Sequence, residues 1–267
     1  MKMRALLFSF VLVSLGTSAL FAQTWAKEQL NKSPRHHEWI DLHHDDRTVK
    51  TFIAFPEVKE KAPVVIVIHE IFGLTDWAKN LADELAGAGY IALAPDLLSE
   101  RGKDTQTYSD KEAAIKAISA LPPAQIIADL DAAADYALKL PAGNGNIGVT
   151  GFCWGGGQSF IYANHNPKLK AAFVFYGTGP DNPTGAEKIA CPVYGFYAED
   201  DARVGATIPK TTEVMKSLGK SYESVTYPGA GHGFMRAGEA PDTSEANRKA
   251  RDAAWERWKT ILKTLRG

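Results

Sequence analysis

Cysteine stands inside "VTGFCWGGG" with a glycine two positions to either side, Gly151 and Gly155. That spacing suits a nucleophile on a turn too tight for neighbouring side chains. Such a turn forces its central residue into a sparsely populated backbone conformation and aims the side chain out of the sheet. The helix that opens there supplies unpaired N–H groups and a positive dipole end, which favour a thiolate or an oxyanion. The competing reading is a buried structural cysteine beside a phosphate-binding glycine bend. A P-loop is excluded, because no Lys-Ser or Lys-Thr follows the glycines.

A nucleophile needs a base, and the base needs an orienting acid. "YPGAGHGF" places His232 in a glycine-rich loop after the last predicted strand. "FYAEDDARV" offers Glu199, Asp200 and Asp201 just past a strand end, and these residues alone do not choose among the three. His36, His37, His43 and His44 suggest a metal site at first glance. Adjacent histidines on a strand point to opposite faces, however, and no acidic or cysteine cluster joins them, so no metal is expected. Cys153 and Cys191 fit no zinc spacing; they fall on different predicted strands and are not expected to pair.

These residues must be positioned by an alternation of strands and helices. "EWIDLHHDDRTVKTFIAFP" reads as a hairpin turning at Asp45 and Asp46. Val64 to Ile68 is a β-branched run without polar interruption, the mark of a central parallel strand covered on both faces. "TDWAKNLADELAGAGY" is a helix capped by Thr75 or Asp76 and ended by Gly87 and Gly89, and "YIALAPDLL" is a strand stopped by Pro95. A polar loop from about Glu100 to Tyr108 precedes two helical patterns, Lys111–Ala120 and Ala124–Leu140, parted by Pro122 and Pro123. "NIGVTG" is a strand, and the helix after "CWGGG" runs to about Asn164. "AAFVFYG", "CPVYGFYAE" and "YESVTYPG" are further strands, with the helix "KTTEVMKSLG" before the last. The C-terminal helix presents Ala254, Trp258, Ile261 and Leu265 on its inner stripe. This order predicts one α/β domain with a mostly parallel sheet and helices on both faces.

The chain has 267 residues, 45% of them hydrophobic, and a formal net charge of -1. That is enough for one large core, and no basic excess points to nucleic acid. "MKMR" followed by "ALLFSFVLVSLGTSALFA" has the order of a secretory signal peptide, with cleavage after Ala22 or Ala19. The rival reading is an uncleaved anchor helix; Ser9, Ser14, Thr17, Ser18 and the lack of a basic stop weigh against it. The expected organisation is a signal peptide over 1–22, an N-terminal extension over 23–40 and the α/β domain over 41–267. The mature protein is expected to be exported, without stable membrane insertion.

"HEIFGL", "GFCWGGG", "DDARV" and "GAGHGF" occur in the order and spacing of the dienelactone hydrolase family, a carboxymethylenebutenolidase-like branch of the α/β-hydrolases. The chain resembles that family from about Asp41 to Arg266. The resemblance implies an α/β-hydrolase fold and maps the family's Cys-Asp-His triad onto Cys153, Asp201 and His232, with the Arg-Val of "DARV" selecting Asp201. It implies that Glu70 is held near the resting thiol and displaced by substrate, opposing thiolate formation and oxidation in the meantime. It implies an oxyanion hole of the Ile71 and Trp154 N–H groups. Arg236 matches a family arginine that steers a substrate carboxylate and can pair with the displaced Glu70. A second family arginine corresponds to Arg101, but in "PDLLSER" it stands about one residue late and lacks the usual tyrosine. The chain departs from the family there, and with it from the fit to the family's smallest anionic lactone. The implied activity is cysteine-dependent hydrolysis of an activated lactone or ester through a thioester, with no metal or organic cofactor. The alternative is an exported ligand-binding protein on an inactive hydrolase fold. Either way the expected partner is a small molecule, and the oligomeric state is left open.

Overall fold

The computed structural model describes residues 23–100, 102–108 and 110–266. The expected signal peptide and Arg101 therefore lie outside the described residues. Among the described residues no helix is long and apolar enough to cross a membrane.

The predicted hairpin forms from β1 (His37–His44) and β2 (Arg47–Ala54), turning at Asp45, whose φ is 48°. Next come β3 (Ala62–Ile68) and β4 (Ile91–Pro95), then β5 (Gly143–Phe152), β6 (Ala171–Phe175), β7 (Val193–Ala198) and β8 (Tyr222–Tyr227). The sheet order is β1-β2-β4-β3-β5-β6-β7-β8. β1 and β2 are antiparallel to each other, β2 is antiparallel to β4, and all remaining pairs are parallel. Every residue of β3 is buried, as its unbroken β-branched run requires of a strand covered on both faces.

Successive β3 side chains feed two cores. Val65 and Val67 join Trp77, Leu81 and Trp258 on one face; Val64, Ile66 and Ile68 join Leu130, Ala133 and Phe160 on the other. The first face is covered by α1 (Thr24–Lys32), α2 (Asp76–Gly87) and α9 (Glu245–Leu262). The second is covered by α4 (Pro123–Lys139), α5 (Trp154–His165) and α7 (Ile208–Ser217). Another helix, α3 (Lys111–Ser119), adds a small cluster of its own through Ala114 and Ile118. Two single-turn helices, α6 (Ala202–Gly205) and α8 (Phe234–Ala237), follow β7 and β8.

Several details depart from the expectations. Pro123 is the first residue of α4 rather than part of a gap, a position where its missing N–H has no intrahelical partner to lose. The buried stripe of α9 is Ala250, Ala254, Trp258 and Leu262, at a uniform spacing of four; Ile261 is only half-buried, and Leu265 packs from a terminal 3₁₀ turn. The segment set aside as an extension carries α1 and the start of β1. It is tied down by Ser33, Arg35 and His37, which all bond the Asp83 carboxylate on α2. Gln23 accepts from the Trp77 N–H at 2.6 Å, at the first turn of α2.

Candidate active site

Cys153 is the single residue between β5 and α5, with φ 56° and ψ -117°. A backbone of this kind costs on the order of 1–3 kcal/mol and must be held by its surroundings. Its N–H donates to the Phe175 carbonyl at 3.0 Å, and its carbonyl accepts from the Gly156 N–H at 3.1 Å. The flanking glycines are sterically obligatory. A Cβ on Gly151 would sit 1.9 Å from the Gly155 carbonyl oxygen, and one on Gly155 would sit 2.4 Å from the His69 carbonyl oxygen. The strand end, the turn and the helix start are therefore packed backbone to backbone.

His232 arrives from the loop between β8 and α8, and its Nε2 lies 3.0 Å from the Cys153 Sγ. Its Nδ1 is hydrogen-bonded to Asp201 Oδ2. Asp201 uses its other oxygen locally: Oδ1 accepts from the Val204 N–H at 3.2 Å and caps α6. Buried but for 7% of its surface, it faces the imidazole, whereas Asp200 is exposed. Glu199 turns elsewhere and accepts from the Gly229 N–H at 2.9 Å. The structure thus brings Cys153, His232 and Asp201 into one hydrogen-bonded chain and leaves the two neighbouring carboxylates out of it.

Burial raises the Cys153 thiol above the ordinary cysteine range, and the negative charge of Glu70 adds to the rise. The backbone N–H groups of Trp154 and Ile71 and the charge of Arg203 pull the other way and do not win. The helix N-terminus alone suggests a stabilised thiolate; here desolvation and like charge outweigh it. Glu70 is 3% exposed, and its Oε2 accepts from Arg236 Nε at 2.7 Å. The carboxylate thus pairs with Arg236 while its charge still reaches the Cys153 thiol. Arg236 also packs over the Phe72 ring at 5.6 Å, and Lys111 of α3 sits 4.4 Å from the same ring centroid.

A cavity of about 490 Å³ opens at the sulfur. Ile71, Trp154, Phe160, Ile161 and Tyr176 give it an apolar wall, and Arg203 adds a cation. Trp154 shapes it as expected; the described part of the loop 100–110 does not line it. The histidines considered for a metal face separate partners: His36 on Glu38, His37 on Asp83, His43 on Thr48 and His44 on Asp129. Both cysteines are free, and burial pushes the Cys191 thiol up to about 11.

Sequence reasoning missed two residues here. Tyr176, fully buried at φ 40°, stands edge-on to His232 with ring centroids 5.1 Å apart. The available signal was its place just past the C-terminal end of β6, where open parallel sheets bind ligands. His69, between β3 and Glu70, is fully buried and stacks on Trp154 at 5.9 Å.

Chemically, the arrangement can supply a nucleophile, a base within bonding distance of it and an acid that fixes the base, and the backbone N–H groups of Trp154 and Ile71 favour negative charge at the sulfur. A family model described as the dienelactone hydrolase family matches residues 49–266. A Methylorubrum extorquens protein named "Putative carboxymethylenebutenolidase" is 35% identical over 200 residues, 71% of this chain and 69% of that protein. A Salmonella typhimurium protein of the same name is 34% identical over 218 residues, covering 77% and 79% of the two chains. The crystal structure of a Klebsiella pneumoniae protein described as a "Putative Dienelactone Hydrolase" superimposes with a TM-score of 0.74 at 29% identity, covering 86% of this chain and 98% of that one.

Proposed function

The chain belongs to the dienelactone hydrolase family of α/β-hydrolase enzymes, and we propose that it opens an activated lactone or ester through a thioester on Cys153. The observation that carries this reading is the 3.0 Å contact between Cys153 Sγ and His232 Nε2, continued through Nδ1 to Asp201.

In this reading His232 takes the thiol proton as Sγ attacks the carbonyl carbon. Asp201 stabilises the imidazolium and fixes its orientation. The developing oxyanion takes the N–H groups of Trp154 and Ile71, which already lower the cost of negative charge on the sulfur beside them. The C–O bond breaks, His232 returns its proton to the leaving oxygen, and a thioester remains. Water deprotonated by His232 then attacks the thioester, and the acid leaves as the thiol reforms. A thiolate is itself a good leaving group, so activated esters and lactones suit this nucleophile better than amides. Arg236 pairs with Glu70 through Nε and, through its remaining N–H groups, steers an anionic group on the substrate. The leader over residues 1–22 directs the enzyme out of the cytoplasm, where a thiol kept neutral resists oxidation.

The test is Cys153→Ala with a p-nitrophenyl ester as probe. Loss of at least ~10³-fold in kcat with an unchanged fold is expected. Undiminished turnover by the variant refutes the reading.

A further inference from the structure

His69 takes no part in the chemistry above and does not line the cavity. Its ring is completely buried. The Leu97 backbone N–H donates to Nε2 at 3.3 Å. A backbone N–H can only donate, so Nε2 is the acceptor and the proton sits on Nδ1. Nδ1–H then donates to the Glu70 carbonyl oxygen at 2.8 Å. Burial holds the imidazole neutral, which keeps this tautomer in place.

The Glu70 carbonyl and the Ile71 N–H are the two ends of one planar peptide. Fixing the carbonyl fixes the direction of the N–H. A carbonyl that accepts a hydrogen bond also polarises its own N–H, which becomes the stronger donor. The Gly73 N–H reaches the same carbonyl at 3.1 Å, so the peptide is held from two sides. The His69 ring also stacks on the Trp154 indole with an interplanar angle of 19°, which fixes the plane of the imidazole.

We infer that His69 is a positioning residue for the oxyanion hole, setting the direction and donor strength of the Ile71 N–H through the Glu70 carbonyl. The inference rests on the hydrolase reading above and deepens it. A histidine that merely fills the core would be interchangeable with an apolar residue of its size as far as turnover is concerned; this one is not.

The experiment compares wild type, Cys153→Ala, His69→Leu and His69→Asn on a p-nitrophenyl ester, with iodoacetamide alkylation of Cys153 as a second readout. Leu and Asn are alike in size, but only Asn can place an N–H where Nδ1–H stands. His69→Leu is expected to lose about 10- to 100-fold in kcat with KM changed less than about threefold, somewhat less than the loss of a whole donor. His69→Asn is expected to recover to within about fivefold of wild type; alkylation, which forms no oxyanion and feels the Ile71 N–H only through the thiolate, is expected to fall by less than about threefold in either variant. Turnover of His69→Leu equal to wild type overturns the inference, as does loss of turnover and alkylation in parallel, or failure of Asn to rescue. Should His69→Leu not fold, His69→Gln replaces it. Its longer side chain carries the amide to the Nε2 place, the same loss is expected, and its absence overturns the inference. A dead Cys153→Ala beside a fully active His69 variant defeats this inference alone. An active Cys153→Ala defeats the hydrolase reading and this inference with it.

Discussion

Asp201 divides its two oxygens between two duties, and a pair of substitutions separates them. Oδ1 caps α6 through the Val204 N–H at 3.2 Å, while Oδ2 holds His232 Nδ1. Asp201→Asn retains a carbonyl oxygen for the cap but can offer an N–H to the imidazole. His232 then becomes an acceptor at Nδ1, and its proton moves to Nε2, the nitrogen that faces the sulfur. An imidazole in that tautomer cannot accept the thiol proton. The expected loss in kcat is ~10³- to 10⁴-fold, equivalent to about 4–5.5 kcal/mol of transition-state stabilisation. Stability should hold to within about 0.5 kcal/mol, because the cap survives. Asp201→Ala should lose activity comparably and a further ~1 kcal/mol of stability with the cap, lowering Tm by about 2–4 °C. Steady-state kinetics on an aryl ester, beside thermal melts of the same three proteins, read both effects. Turnover by Asp201→Asn within tenfold of wild type would refute the reasoning, since the assigned tautomer would then not matter.

Glu70→Gln removes the charge that, after burial, most raises the Cys153 thiol. Its pKa should fall, so alkylation and peroxide oxidation at neutral pH should both speed up; a pH–alkylation profile unmoved or shifted upward speaks against a protective role. Glu84 of α2 shares Arg251 of α9 with Glu239, and burial, reinforced by repulsion from Glu239, pushes its carboxyl up to about 8. The folded chain therefore keeps a proton that the unfolded chain releases near 4.5, and stability drains away as pH rises from there to about 8. Glu84→Gln should flatten that slope and raise Tm at alkaline pH; an unchanged pH dependence of Tm would show the carboxyl already ionised in the folded state. Expressed with its leader in a Gram-negative host, the protein should be recovered from the periplasm beginning after Ala22 or Ala19, and full-length chain in the cytoplasm would contradict export.

Much of the scaffold was legible because local and long-range demands coincide in it. β3 is β-branched from Val64 to Ile68 and buried throughout, and "NIGVTG" lies within the longer β5. The turn at Cys153 was readable because only glycine tolerates approaches of 1.9 and 2.4 Å from carbonyl oxygens, and that intolerance is written directly as residue type. What was missed depends on partners distant in the chain. α1 is polar along most of "TWAKEQLNK" and owes its place to contacts with α2. On α9 the neighbours Ile261 and Leu262 are both apolar, so periodicity alone could not say which faces inward; packing against the sheet selects Leu262. Glu70 is paired with Arg236, a partner far along the chain that composition does not encode. His69 was read over because its work passes through a backbone carbonyl, and no spacing rule marks such a contact.

The central claim is a covalent one and is best tested on the covalent species. During turnover of an activated aryl ester, an acid-quenched digest should yield the peptide containing Cys153 heavier by the acyl group, with the adduct lost on treatment with hydroxylamine. Rapid consumption of the ester with that peptide unmodified and the acyl group found on another side chain would contradict the account.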